Sequence, residues 1–235
     1  MCIIVYKPIG VKLPSKKTLH NCYENNSDGC GFAIKRNNKI LCRKGTMTFD
    51  NFWNILQSYK LTKNDEVLLH FRIATAGKIN NFNCQPFSIS SEVNKVKNVE
   101  GKSNFVMVHN GHINLKLKHD LSDSGMLANQ FFSKMSVYDI YVNKLVREEI
   151  EKFLSFNKIA LLHNKFGFTK FGDFIEDHGV LYSDNTYKTE YFDRWFYSKY
   201  ESYLDEKWDD EKWDCLDNKY ETLDKEKIMG YNVNE

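Results

Sequence analysis

The residue most suited to act as a reactive group lies at the start of the chain, where Met1 and Cys2 precede the apolar run Ile3–Tyr6. Removal of Met1, which the small side chain of Cys2 permits, would give Cys2 both a thiol and a free α-amine. An α-amine has a pKa of about 7.7–8.0, against about 8.5 for a thiol, so it can act as the base that activates the sulfur. A cysteine before a strand is also commonly an inert core residue. The nucleophile hypothesis therefore needs support from other segments.

Three further positions have side chains that suit a polar site. Arg72 stands in an apolar strand, where an unpaired guanidinium would be costly to bury, so it needs a partner. Asn110 and Gly111 end another strand, and their amide NH2 and backbone N–H can point at one spot. An ordinary turn after a strand explains this Asn-Gly pair equally well. Asp123 lies where a helix N-cap is expected, and a capping role alone would account for it.

These positions fall within four stretches whose relative spacing resembles that of class II glutamine amidotransferases. The stretches are HFRIATAG at 70–77, VHNGHI at 108–113, SDS at 122–124 and SDGCG at 27–31. Proteins of this family carry N-terminal-nucleophile glutaminase domains, as in glucosamine-6-phosphate synthase, asparagine synthetase and phosphoribosylpyrophosphate amidotransferase. The resemblance covers about residues 2–185. It implies an α+β fold, a four-layer αββα sandwich of two antiparallel sheets, with the glutaminase domain at residues 1–187.

The resemblance also implies a reaction. Cys2 would attack the side-chain amide of L-glutamine and form a γ-glutamyl thioester, and hydrolysis would then give glutamate and ammonia. Asn110 and Gly111 would form the oxyanion hole. The chain is too short to include a fused synthase domain, so the resemblance implies a stand-alone module. Its ammonia would pass to a separate synthase or ligase.

Four positions are implied to bind the substrate. Arg72 would hold the α-carboxylate and Asp123 the α-ammonium, which are the groups that a guanidinium fork and a carboxylate recognise. Thr75 and Gly77 would line the same pocket through hydroxyl and backbone groups. No cofactor and no metal are expected, since the chain has no phosphate-binding glycine loop and no pattern of metal ligands.

The chain departs from the family pattern beside the expected site. Ile73 and Ala76 replace the usual tryptophan and histidine, and Asn25 and Asn26 stand where arginine and glycine are common. These changes leave two alternatives open. One is a hydrolase of γ-glutamyl peptides or other amides on the same scaffold, and the other is a non-catalytic interaction protein that retains the fold.

Apolar periodicity predicts the elements that would position these residues. Segments 7–24 and 78–102 are predicted to be loop-like. Asn37-Asn38 is a predicted hairpin turn, because asparagine tolerates positive φ. Helices are predicted from a Thr48 cap through Tyr59, from Ser122-Asp123, and from Val137 to Phe156. The predicted strands are 3–6, 31–35, 39–43, 67–73, 105–109, 159–163, 167–171 and 179–183.

Composition narrows the class of protein. The net charge is +2 with no basic cluster, which disfavours nucleic-acid binding. No apolar run has the length of a membrane span, and no signal peptide is recognisable. Six cysteines without a CxxC pair favour a reducing, cytoplasmic location. The abundance of Asn and Lys and the scarcity of Pro are typical of an AT-rich genome, such as that of a phage.

The last segment, 188–235, has a different composition. It has 14 acidic and 8 basic residues, and its aromatic residues keep helical spacing. This pattern predicts a helical C-terminal extension of one or two amphipathic helices. Packing onto the chain's own domain is the favoured interpretation, with docking of a partner protein as the alternative.

Overall fold

A computed structural model describes residues 2–188 of the chain. The α-helices of this part are α1 Lys16–Glu24, α2 Phe49–Ser58, α3 Val93–Lys97, α4 Asp123–Met126, α5 Val137–Val142 and α6 Lys144–Leu154. Short helices of other types lie at Asn81–Asn83, Leu127–Phe131 and Phe132–Lys134. The strands are β1 Ile3–Lys7, β2 Cys30–Arg36, β3 Lys39–Thr46, β4 Glu66–Phe71, β5 Phe87–Ser88, β6 Glu100–Ser103, β7 Phe105–Asn110, β8 Lys158–His163, β9 Gly167–Phe171, β10 Ile175–Asp177 and β11 Val180–Tyr182.

The strands form two antiparallel sheets. Seven strands make the first sheet in the order β10-β11-β1-β4-β2-β3-β6, and four make the second in the order β5-β7-β8-β9. In the first sheet β4 lies between β1 and β2, with His70 opposite both Ile4 and Gly31. The predicted hairpin between β2 and β3 is confirmed, since Asn37 and Asn38 both have positive φ.

Strand β1 shows how the layers arise. Ile3 and Val5 pack into a cluster with residues of α1 and α2, whereas Ile4 and Tyr6 pack into a second cluster against the other sheet. Successive side chains of a strand point to opposite faces, so a strand buried on both faces has an unbroken apolar sequence. The apolar run at the start of the chain is therefore explained by its central place in the first sheet.

Three apolar clusters separate four layers. The first cluster lies between α1, α2 and the seven-stranded sheet. The second lies between the two sheets and includes Leu68 of β4 with Val106 and Val108 of β7. The third lies between the four-stranded sheet and the helices α3 to α6. This arrangement confirms the expected α+β architecture of two antiparallel sheets covered by helices.

One helix falls in a segment that was predicted to be a loop. Helix α1 begins after Ser15, whose side chain accepts a hydrogen bond from the backbone N–H of Thr18. Only its Leu19, Asn21 and Cys22 are buried, so the helix presents few apolar residues and its periodicity is weak. The loop prediction was wrong because a good N-cap and two core contacts stabilise a mostly polar helix.

Other boundaries also differ from expectation. The helix predicted from Val137 to Phe156 is divided into α5 and α6 at Asn143, whose side chain accepts from the N–H of Val146. Thr48 does precede α2, but its side chain makes no capping hydrogen bond. The segment predicted as loop over 78–102 contains β5, α3 and part of β6.

The predicted C-terminal extension, 188–235, lies outside the described residues except for Lys188. Its helices and the domain boundary after residue 187 remain predictions. Within residues 2–188, no helix combines the length and apolarity needed to cross a bilayer.

The packing of α2 on the first sheet gives a test of the layer assignment. Phe52 is fully buried, and its ring centroid lies 5.1 Å from that of Phe71 in β4. Phe52→Ala should lower the free energy of unfolding by about 3–5 kcal/mol, because the cavity beneath the helix cannot be refilled. The exposed neighbour Asn51 provides the control, and Asn51→Ala should change the same quantity by less than about 0.5 kcal/mol in urea denaturation. Equal losses for the two variants would contradict this packing.

Candidate active site

Cys2 directly precedes β1 and lies on its inner face. The residue has 8% relative exposure, and its Sγ donates to the carbonyl oxygen of Ile73 at 3.3 Å and accepts from the N–H of Ile73 at 3.4 Å. The register of β1 on β4 pairs Ile3 with Phe71. Its continuation sets Cys2 opposite Arg72, at the end of both strands.

Burial governs the ionisation of this thiol. Desolvation raises the pKa of the Cys2 thiol above its ordinary value, which the hydrogen bond to Ile73 and the positive charge of Arg72 partly oppose. The negative charge of Asp123 raises the pKa further. A cation and an anion from different elements thus act on the same sulfur. Arg72 lies opposite Cys2 by continuation of the strand register, and Asp123 lies near enough for its charge to act on the thiol.

Arg72 is buried at the carboxyl end of β4. Its guanidinium donates to the backbone carbonyl oxygens of Ala76 and Lys78, each contact at 3.3 Å. These contacts use three of the five N–H groups of an arginine. Within residues 2–188, no carboxylate lies within ion-pair distance of Arg72, so its positive charge is not neutralised by a neighbouring anion.

The loop after β4 extends from the Cys2 thiol to Ser122, the residue that precedes Asp123. Ile73 contacts Cys2 at one end of the loop, and Gly77 packs against Ser122 at the other. Gly77 has φ +75°, and a Cβ there would lie 2.9 Å from the Cα of Ser122, so this close approach requires glycine. Thr75 lies between them with an exposed side chain.

Asp123 occupies the first position of α4. The N-cap is Ser122, whose Oγ accepts from the N–H of Gly125, so the predicted capping role of Asp123 is corrected. The Asp123 carboxylate instead accepts from the N–H groups of Ser124 at 2.8 Å and Ile113 at 3.0 Å. These bonds hold a buried carboxylate beside the loop that follows β7.

Asn110 and Gly111 end β7 as predicted, and their local contacts are specific. The Asn110 amide donates to Ser183 Oγ at 2.9 Å and to Asp184 Oδ2 at 3.2 Å. Gly111 has φ +148°, and a Cβ there would collide with the side chain of Asn157. The side chain of Asn157 leaves no room for a side chain at position 111. The side-chain amide of Asn110 is hydrogen-bonded to Ser183 and Asp184.

A buried polar network supports this end of the two sheets. His70 Nε2 donates to the carbonyl oxygen of His109 at 3.1 Å, and Gln85 Nε2 donates to the same oxygen at 3.1 Å. His109 bonds to Ser124 Oγ through Nδ1 and to Asn157 Oδ1 through Nε2, at 2.9 and 3.0 Å. Burial lowers the pKa of His70 to about 3, and it also lowers the pKa of His109. Both rings are thus neutral near pH 7.

Ser183 and Asp184, which contact the site, had not been selected as site residues from the sequence, and Asp28 had been named only within the stretch at 27–31. Asp28 Oδ2 accepts from the N–H of Ala74 at 2.7 Å and so anchors the loop after β4. Ser183 and Asp184, which follow β11, hold the Asn110 amide. The turn sequence around Asp28 was a recognisable signal, but no local pattern connects Asp184 with a residue 74 positions earlier.

A large cavity lies elsewhere in the fold. It has a volume of about 830 Å³, and its lining includes Lys12, Lys17, Lys63 and Tyr187. None of the predicted site residues lines it. The candidate active site is assigned to the surroundings of Cys2, because the thiol and the buried charges of Arg72 and Asp123 lie there. Among residues 2–188, no cluster of three or more His, Cys, Asp or Glu side chains is suited to a metal ion.

Comparison with known proteins gives little further information. No protein-family model and no curated protein matches the chain. Among solved structures, a match is found with the glutamine phosphoribosylpyrophosphate amidotransferase from B. subtilis, complexed with ADP and GMP. The sequence identity is 14%, the TM-score is 0.42, and the match covers 70% of this chain and 35% of that one. The chain therefore spans about a third of that protein's length, and the match by itself supports no functional conclusion.

The electrostatic effects on Cys2 can be tested separately. Asp123→Asn removes an anion that raises the pKa of the thiol, so the pKa should fall, whereas Arg72→Met should raise it. The measurement is the pH midpoint of Cys2 alkylation by iodoacetamide, followed by peptide mass spectrometry. Lys95→Met, at an exposed lysine on α3, should leave the midpoint unchanged. Shifts in the same direction for both site variants would contradict the proposed proximity.

Burial of neutral His70 predicts a pH-dependent stability. The folded-state pKa of about 3 lies below the unfolded value of about 6.5, so the unfolded chain binds an extra proton between these pH values. Stability should therefore fall as pH decreases from 6.5 towards 3, by at most about 1.4 kcal/mol per pH unit from this group. His70→Gln keeps a donor for His109 and should make the decline shallower in denaturation at a series of pH values. His119→Asn, at an exposed histidine of the loop before α4, should not alter the slope.

Proposed function

We propose that this protein is a glutamine amidohydrolase of the N-terminal nucleophile hydrolase type, with Cys2 as its nucleophile. The observation that carries the proposal is the pair of opposite charges beside the Cys2 thiol. Arg72 is buried opposite Cys2 by continuation of the strand register, and the buried Asp123 carboxylate, held by Ser124 and Ile113, is near enough for its charge to act on the thiol. The substrate class follows from these charges and from the chemistry of the strand ends.

An α-amino acid substrate has the complementary pair of charges. Arg72 has two N–H groups left after its contacts with the loop carbonyls, and a guanidinium binds a carboxylate through such donors. The Asp123 carboxylate can accept from an ammonium group in addition to Ile113. A substrate held by both groups would have its side chain directed towards Cys2. Gly77 and Thr75 belong to the loop that joins these positions.

The reaction requires a mature chain that begins at Cys2. The free α-amine accepts the thiol proton, and the thiolate attacks the side-chain carbonyl carbon of glutamine to give a tetrahedral oxyanion. The amine then returns the proton to the leaving nitrogen, ammonia departs, and a γ-glutamyl thioester remains. Water attacks the thioester with the same amine as base, which releases glutamate and regenerates the thiol.

Asn110 and Gly111 are proposed to bind the oxyanion. Donors held in place before the reaction stabilise the developing charge without reorganisation. Gly111 can offer a backbone N–H at the strand end that Asn157 fixes. The Asn110 amide must first release one of its present acceptors, Ser183 or Asp184.

A second candidate is the hydrolysis of γ-glutamyl peptides. Ile73 contacts the thiol and has 38% relative exposure, so an apolar side chain borders the approach to Cys2. Such a surface can pack against an extended leaving group, whereas ammonia makes no use of it. This candidate shares the nucleophile and the binding of the glutamyl part with the first.

The fate of the ammonia concerns a second protein. We propose a separate synthase or ligase as the acceptor, because ammonia that escapes into water is protonated at neutral pH. The aromatic residues of 189–235 are the candidate docking element, and they lie outside the described part of the chain. The cytoplasmic location also remains a prediction.

The proposal is tested with the full chain after its N-terminus has been sequenced. Protein that begins at Cys2 should release ammonia and glutamate from L-glutamine in equal amounts, and Cys2→Ala should abolish this release. Asn110→Ala should lower kcat by about 100- to 1,000-fold, the usual cost of a lost oxyanion donor. Cys42→Ala, at a half-buried cysteine of β3, is the matched control and should retain activity.

Absence of ammonia release from chains that begin at Cys2 would reject the proposal, as would unchanged release by Cys2→Ala. Faster turnover of γ-glutamyl dipeptides than of glutamine would favour the second candidate. Retention of Met1 in the protein isolated from its natural source would count against both, since the α-amine of Cys2 would then be an amide.

A further inference from the structure

The side-chain amide of Asn110 has both of its hydrogens engaged. A primary amide has two N–H donors. One points to Ser183 Oγ at 2.9 Å and the other to Asp184 Oδ2 at 3.2 Å. The carboxamide oxygen on the opposite side is buried and has no hydrogen-bond partner among residues 2–188. In this arrangement Asn110 has no free hydrogen for an additional acceptor.

The chemistry of the acceptors fixes the orientation of this amide. A carboxylate can only accept hydrogen bonds, so the amide oxygen cannot face Asp184 without repulsion. Ser183 Oγ also accepts from the backbone N–H of Ile4 at 2.9 Å, so this oxygen accepts two hydrogen bonds and can donate only through its own proton. Rotation of the amide by 180° would therefore replace a charge-assisted hydrogen bond with a contact between two acceptors.

Asp184 is itself held firmly. Its second oxygen, Oδ1, accepts from the backbone N–H and the hydroxyl of Thr186, at 2.9 and 2.5 Å. The preceding residue, Ser183, is fully buried and pairs with Ile4 through both backbone and side chain. The carboxylate is thus a fixed acceptor on the chain that follows β11, and it meets the end of β7 from the other sheet.

We propose that Asp184 is a positioning residue that acts through Asn110 and holds its amide in a resting orientation. For Asn110 to bind an oxyanion, one hydrogen must leave an acceptor, and the longer bond to Asp184 is the one to be given up. The inference rests on the proposed function for its effect on turnover. The fixed orientation of the amide does not depend on which substrate is used.

The orientation can be measured directly by NMR of the full chain labelled with ¹⁵N. The two side-chain amide protons of Asn110 are assigned by their loss in Asn110→Ala. Both should exchange slowly with water in the wild type. In Asp184→Ala one of them should exchange at least about tenfold faster, since loss of a hydrogen bond to a charged group shifts an equilibrium by that order. Asp173→Ala, which removes an exposed carboxylate between β9 and β10, is the control and should leave both unchanged.

Turnover provides the second measurement. Asp184→Ala should raise kcat on the order of tenfold with little change in KM, because a hydrogen becomes free for the oxyanion and no contact with the substrate is altered. Asp184→Asn keeps the size of the side chain and a neutral acceptor, so its kcat should lie between the two. In the Asn110→Ala background the substitution of Asp184 should have no effect, which a merely structural role would not predict.

Unchanged exchange of both Asn110 protons in Asp184→Ala would overturn the proposal. A lower kcat in Asp184→Ala and Asp184→Asn, with both variants folded, would also overturn it. If the wild type releases no ammonia, the proposed function fails, and the exchange measurement still decides whether Asp184 fixes the Asn110 amide.

Discussion

The candidate site depends on one buried hydrogen bond between the two sheets, from His70 Nε2 to the carbonyl oxygen of His109. His70 belongs to β4 and His109 to β7, and each lies within two residues of a proposed functional residue, Arg72 or Asn110. The apolar cluster between the sheets excludes water from this region, so solvent could not satisfy the N–H of His70, whereas the His109 oxygen also accepts from Gln85. An unmade bond of this kind costs about 1–3 kcal/mol, which favours the relative placement of the sheets that brings the two strand ends together.

Strand alternation explains why the site residues share one layer. Ile4 and Tyr6 of β1 lie on the inner side, as does Cys2 just before that strand. Leu68 and His70 of β4 do so as well, and Arg72 follows just after the strand. In β7 Val106, Val108 and Asn110 follow the same rule. The apolar residues among these fill the cluster between the sheets, and Cys2, Arg72 and Asn110 lie at the edge of that cluster. Functional side chains and core side chains therefore follow from a single pattern.

This pattern also separates what the sequence could predict from what it could not. The buried strands were predictable because β1, β4 and β7 contain apolar runs at 3–6, 67–69 and 105–108, and the Asn37-Asn38 turn carried its own conformational signal. Helix α1 was not predicted because it is mostly polar, and Leu19 and Cys22 are its only buried apolar residues. The roles of Ser183 and Asp184 depend on the pairing of β11 with β1, and no local pattern in the sequence encodes that pairing.

The buried cations of the domain differ in a way that bears on function. Lys7 and Lys44 also donate to backbone carbonyl oxygens in the interior, and burial lowers the pKa of Lys44 to about 7. A lysine in such a place can lose its proton and remain a neutral structural donor. An arginine cannot be deprotonated in this way, so Arg72 keeps its charge at the site edge even though carbonyl groups are its only partners among residues 2–188. A buried positive charge without a neighbouring anion does not favour folding, but it can bind an anionic group of a ligand.

The same burial limits the thiol. A raised pKa leaves little thiolate at neutral pH, and within residues 2–188 the hydrogen-bond partners of the Cys2 sulfur are the backbone groups of Ile73. No histidine or carboxylate side chain bonds to it there, in contrast to cysteine enzymes in which a neighbouring base prepares the nucleophile. In the proposed reaction the base would therefore be the α-amine of Cys2, because the peptide nitrogen of a chain that retains Met1 is not basic. In the proposed reaction, a chain that retains Met1 would be inactive because its buried thiol has no base. In a chain that begins at Cys2, the new α-amine would lie beside the sulfur that it deprotonates.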